Sequence, residues 1–115
     1  MINTNPFFKL EIYCPAESVD EILEVLAAEH AGEIGKYDHC SSITEVQGTY
    51  CPLEGASPVM GEIGKLFLGS EVKIEVNCRE DFLVEAIRAV REVHPYEEPV
   101  INVIPLANAR YGGTI

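Results

Sequence analysis

Two short segments of the chain, KLEIYC (9–14) and KIEVNC (73–78), alternate apolar and polar side chains. In the first, Leu10, Ile12 and Cys14 share one face and Lys9, Glu11 and Tyr13 the other, the period of a half-buried strand. After each segment the period lengthens to that of a helix. Val19, Ile22, Leu23 and Leu26 form one apolar stripe, and Leu83, Ile87 and Val90 form the other. Ser18 and Glu21 read as an S-x-x-E capping box, and Asp81 as the cap of the second helix. Gly32 stops the first helix and Pro95 the second. Extended segments follow each stop, SITEVQGTYC after the first and PVINVIPL after the second.

The two halves are one pattern written twice, 64 residues apart. Lys9, Glu11, Cys14, Glu21, His30 and Glu33 fall on Lys73, Glu75, Cys78, Glu85, His94 and Glu97, with apolar positions matched between them. The order is βαβ–βαβ. It predicts an α+β fold, a ferredoxin-like βαββαβ sandwich with a four-stranded antiparallel sheet and both helices on one face. Cys14 and Cys78 then belong to the core, facing the helices. Lys9, Glu11, Lys73 and Glu75 line the opposite face and can pair across strands. That face is otherwise open, so a homo-oligomer, a trimer or a multiple of it, is expected to cover it.

With 115 residues the chain is read as a single domain, 1–115, long enough to bury a core without staples. Its net charge of −11 repels phosphate backbones and anionic lipid, so neither nucleic acid nor a membrane surface is an expected partner. No apolar run approaches the ~20 residues of a membrane span, and MINTNPFFKL lacks the basic and apolar regions of a signal peptide. A cytoplasmic location is expected. The four cysteines form no CxxC pair, so free thiols are expected rather than a zinc ribbon.

Between the halves lies a stretch without counterpart, residues 32–72, holding seven of the nine glycines. Long excursions within a compact domain tend to serve function or an interface. Here IGKYDHCS and GTYCPLEGASPVMGEIGKL, followed later by HPYEEPVINVIPL, resemble the inserted domain of the Nif-three-like (YqfO-like) family. The resemblance runs in order over nearly the whole chain. It implies a CutA/PII-like ferredoxin fold of the kind that forms trimers. Full-length members carry a dinuclear metal site on a larger flanking domain, and the histidine and carboxylate motifs of that site have no place here. The hydrolase-type activity attributed to the family is therefore not expected of this sequence.

Two short stretches concentrate chemistry. In HPYEE (94–98), His94 reads either as a helix stop donating to the last free carbonyls, or with Glu97 or Glu98 as N and O ligands for a divalent ion. In YDHC (37–40), His39 and Cys40 point apart if extended, but together suit zinc or copper if they form a turn. A metal site of His39, Cys40, His94 and Glu97 requires the two corners to meet, within a chain or across a subunit boundary. The glycines of PLEGASPVMGEIGKL match no phosphate-binding motif, and Glu54 and Glu62 would repel phosphate. That segment reads as a hairpin or subunit-contact loop, with Pro58, Val59, Met60, Leu66 and Phe67 as apolar contacts. No nucleophile has a specified base and orienting group, and the tail NARYGGTI is expected to be disordered or used between subunits. The sequence thus favours a non-catalytic module binding a small ligand or metal ion in a regulatory or accessory role. The alternatives are a metal-handling protein and an accessory subunit of a separate dinuclear-metal protein.

Overall fold

The computed structural model of the chain describes residues 6–115. In chain order the elements are β1 (Phe7–Cys14), a 3-10 turn (Ala16–Ser18), α1 (Val19–Ala28), β2 (Ser42–Tyr50), β3 (Phe67–Arg79), α2 (Glu80–Val93), β4 (Ile101–Pro105) and a second 3-10 turn (Asn108–Tyr111). The described strands make one antiparallel sheet in the order β2-β3-β1-β4. The two alternating segments lie side by side at its centre and the two post-helical segments form its edges. This is the ferredoxin-like α+β sandwich that the repeat predicts.

Alternation decides which face is buried. Leu10, Ile12 and Cys14 of β1 lie with Val72, Ile74, Val76 and Cys78 of β3 under Ile22 and Leu26 of α1 and Leu83, Ala86 and Val90 of α2. Truncating one of the fully buried leucines or isoleucines to alanine would cost about 2–5 kcal/mol. Cys14 and Cys78 are core residues, as their position in the alternation implies. Burial foremost, with Glu71 and Glu17 behind it, pushes the Cys14 thiol up to about 11. Burial, then Glu33, does the same for Cys78. Both therefore remain neutral thiols that pack as small apolar groups.

The helix ends differ in detail from the expected caps. Ser18 belongs to the 3-10 turn that leads into α1, with its N–H on the Pro15 carbonyl, and its helical backbone leaves no side-chain cap. A capping box needs an extended cap residue, and the turn removes it. Asp81 lies inside the first turn of α2, where it opposes the positive helix end. The cap position falls to extended Arg79, and Glu80 N–H donates to the Pro6 carbonyl. At the end of α1, His30 takes the left-handed conformation, φ +67, with His30 N–H on Ala27 O and Ala31 N–H on Leu26 O. Those two bonds make a Schellman close with histidine where glycine is usual. Gly32 serves the next step, where its N–H reaches Asn77 O.

On the open face, Glu11 and Glu75 stand directly opposite each other. The like charges are separated by diagonal lysines, Lys9 at 3.2 Å from Glu75 and Lys73 at 4.0 Å from both Glu11 and Glu75. Asn102 of β4 donates to Glu11 at 3.1 Å. The predicted cross-strand pairing is therefore present, as a small lattice of alternating charge.

The first five residues of β3 run on past β1 and pair only with β2. With loop 51–66 they form an arm beyond the helical layer. The radius of gyration is 15.7 Å, against the ~13 Å of a compact chain this long. The tail is ordered, against the first of its two expected alternatives. Ile115 is buried and its carbonyl accepts from the Arg79 guanidinium at 3.1 Å, so this segment folds back on the sheet end.

Candidate functional site

The two chemistry-bearing corners sit at opposite ends of the sheet. In each half the helix runs back along its strand, and the strands β1 and β3 are antiparallel. The repeat itself therefore sends the end of α1 to one edge of the molecule and the end of α2 to the other.

At the first corner, Gly32 N–H donates to Asn77 O at 2.8 Å and Cys40 N–H to Gly32 O at 2.9 Å. Gly32 has φ +86, and a Cβ there would meet the Cys40 carbonyl at 2.7 Å. Only glycine fits this approach. YDHC forms a turn rather than a strand, with His39 left-handed at φ +58. The exposed imidazole bonds Asp38 through Nδ1 at 2.9 Å and lies 3.4 Å from the Glu24 carboxylate through Nε2. The hydrogen bond to Asp38 first, then the one to Glu24, raises its pKa. Cys40 Sγ is turned to the Asp38 carbonyl.

At the second corner His94 is 8 % exposed. Pro95 forces it out of the helix into an extended conformation. Its Nε2 lies 2.7 Å from Tyr13 O and its Nδ1 3.1 Å from Tyr96 N. A carbonyl can only accept and an amide N–H only donates, so the proton is on Nε2. His94 serves the end of α2 through its backbone N–H, which donates to Val90 O at 2.9 Å, while its side chain reaches across to β1. Glu97 accepts the Ser57 N–H at 3.0 Å, tying the corner to the arm loop.

Within one chain His39 and Cys40 do not meet His94 and Glu97. Cys40 is linked through Gly32 to the Asn77–Lys9 pair and His94 bonds Tyr13, four residues or about 13 Å farther along β1. Among the described residues no three His, Cys, Asp or Glu side chains form a group that could hold a metal ion.

The structure instead opens a cleft of about 680 Å³ at the His94 end of the open sheet face. Its floor includes Tyr13, Gly48, Glu71 and Asn102, and Tyr96 and Glu97 stand against Pro52, Leu53 and Val59 of the arm loop. Tyr96 donates to Glu71 Oε2 at 3.0 Å. Burial, then the Glu71 carboxylate, holds this phenol well above its ordinary value of 10.0. A Cβ at Gly48 would fall on the Glu71 carboxylate, so the bare glycine makes room for it. Tyr50 stacks on Phe67 with centroids 4.9 Å apart and donates to Met60 O at 2.6 Å, which holds the loop above the floor. Sequence reasoning missed Glu71, Gly48 and Tyr13 as site residues. The available signal was the alternation itself, because Glu71 extends the open-face series of Lys73 and Glu75.

No protein-family model matches the chain. Among curated proteins it is 37% identical over 103 residues to the GTP cyclohydrolase 1 type 2 homolog of Bacillus subtilis, covering 90% of this chain and 28% of that protein. To the homolog of Mycobacterium leprae it is 36% identical over 98 residues, covering 85% and 26%. It superposes on a Bacillus cereus protein related to NIF3 with a TM-score of 0.80 and 32% identity, over 93% of this chain and 27% of that one. The chain is homologous to one segment of the NIF3-like proteins. It spans little more than a quarter of the length of the curated relatives it matches. The chain also shares its fold with CutA of Archaeoglobus fulgidus (TM-score 0.65, 20% identity, 87% of this chain and 83% of that one). The PII-like protein CutA from Nostoc gives 0.66 at 20%, over 90% and 84%. At such identities the likeness is one of fold. No helix of the described residues is long and apolar enough to cross a membrane.

Proposed function

We propose that this NIF3-like segment is a non-catalytic, homo-oligomeric, cytoplasmic binding module whose small ligand enters the cleft between the arm loop and the HPYEE corner. One observation carries the reading: the volume is that of a ligand site, and its apolar walls surround a few oriented polar groups, chiefly the Tyr96–Glu71 pair. Cys51, the thiol at its rim, is turned to the Pro52 carbonyl and no imidazole lines the cleft beside it. A nucleophilic thiol would need such a base beside it. An oligomer is favoured by the arm, whose Met60, Leu66 and Leu68 are exposed on its outer side.

A second reading keeps a divalent ion, zinc or copper. It keeps His39, Cys40, His94 and Glu97 as ligands, which only a second subunit could bring together, since within one chain the two corners lie apart. Native mass spectrometry of untagged protein separates the two. Oligomers free of metal, with cleft-directed ligands shifting their mass, support the first. About one zinc or copper per chain, lost on His39→Ala, replaces it with the second, and a monomer overturns the oligomeric part of both.

A further inference from the structure

We infer that the cleft selects a small organic cation with an apolar body, an amine, amidine or guanidinium, and rejects nucleotides and other anions; this rests on the cleft being the binding site. Its lining carries three carboxylates, Glu71, Glu97 and Glu98, and no lysine, arginine or histidine. The molecule around it carries a net charge of −11. An anion entering here would meet like charge with no donor cation to offset it.

The carboxylates are arranged for hydrogen-bond donors spread over an organic cation. Glu71 is held on one side by the Tyr96 phenol and lies against the bare backbone of Gly48 on the other. Glu97 is held by the Ser57 amide of the opposite wall. These side chains do not converge as a divalent ion requires. Tyr13, Tyr50 and Tyr96 line the same space and add aromatic surface that attracts a cation. Pro52, Leu53 and Val59 complete the apolar part, to receive the body of the ligand.

A series of one shape and three charges tests the inference: benzamidine, benzamide and benzoate, with GTP as a nucleotide, titrated into isotope-labelled full chain at pH 7.5. The amides of Ser57, Tyr96 and Glu97 are followed by NMR. Benzamidine is expected to shift them, benzamide to bind at least tenfold more weakly, and benzoate and GTP to leave them in place. Glu71→Gln, which still accepts from Tyr96, is expected to weaken benzamidine at least tenfold while the thermal midpoint moves little. If benzamide matches benzamidine, or benzoate or GTP shifts these amides, the charge selection is wrong and the cleft remains a binding site. Should Glu71→Gln bind benzamidine unchanged, Glu71 is not the cation's partner and the inference falls. If none of the four moves a cleft amide, both the inference and the cleft reading fall.

Discussion

Tyr96 and Glu71, separated by 25 residues, meet at 3.0 Å across the open end of the sheet. The tyrosine comes from the corner after α2 and the glutamate from the part of β3 that has left β1 behind. The bond thus ties the helical corner to the arm, and it does so at the floor of the cleft.

Removing its donor tests that tie. Tyr96→Phe is expected to lower stability by about 1 kcal/mol, a few degrees in the thermal midpoint, because the bond is to a carboxylate but only partly buried. The folded-state pKa of Tyr96 lies above its unfolded value of 10.0. Its contribution is therefore complete below pH 10 and is lost as pH rises from there through the folded value. Denaturant midpoints measured up to pH 11 should fall less steeply for Tyr96→Phe than for the natural chain. Parallel profiles would show that the phenol is not perturbed.

The two corner histidines should differ sharply in how much their truncation costs. His94→Ala leaves the Tyr13 carbonyl and the Tyr96 amide without their partner in a buried place, and should cost about 2–3 kcal/mol in chemical denaturation. His39→Ala removes only exposed contacts to Asp38 and Glu24 and should leave the denaturation midpoint almost unchanged. Equal costs would contradict the different burial of the two rings.

Gly48→Ala places a methyl group on the Glu71 carboxylate. The glutamate is flexible and can swing away, so the expected loss of stability is small, about 1 kcal/mol. Its effect should appear in the cleft, as displaced Tyr96 and Glu97 amide resonances of a folded protein. Unchanged resonances would mean that Gly48 does not hold the carboxylate in place.

Deleting residues 54–64 removes Met60 and Ile63 from the arm but leaves the buried sheet face and both helices intact. The expected outcome is a smaller oligomer by light scattering with helical circular dichroism retained. An unchanged mass in solution would place the subunit contacts elsewhere.

The 3.6 and 2.0 periodicities made the fold legible, because burial on one side of a sheet acts on every second residue and both halves repeat it. The same argument placed Cys14 and Cys78 in the core and paired Lys9, Glu11, Lys73 and Glu75 across the strands. Helix caps were less legible. Ser18 has the right neighbours for a capping box, yet the 3-10 turn before α1 takes away the extended backbone the box requires.

The candidate site was readable only in fragments. HPYEE and YDHC stand out as residue types, but their local sequence carries no trace of the antiparallel relation that sends them to opposite ends of β1. His94 shows the difference most plainly. Matched to His30 in the repeat, it is buried between Tyr13 and Tyr96, while His30 lies exposed against Phe82 and Glu33.

The amino-acid sequence by itself determined the elements, their order and the buried face, since those follow from local period and from the repetition of one strand–helix unit. The tertiary structure alone decided the cleft. Its parts come from β1, β2, β3, β4, the arm loop and the corner after α2. Contacts such as Tyr96–Glu71 and Glu97–Ser57 exist only once the strand register and the overhang of β3 have brought those segments to the same place.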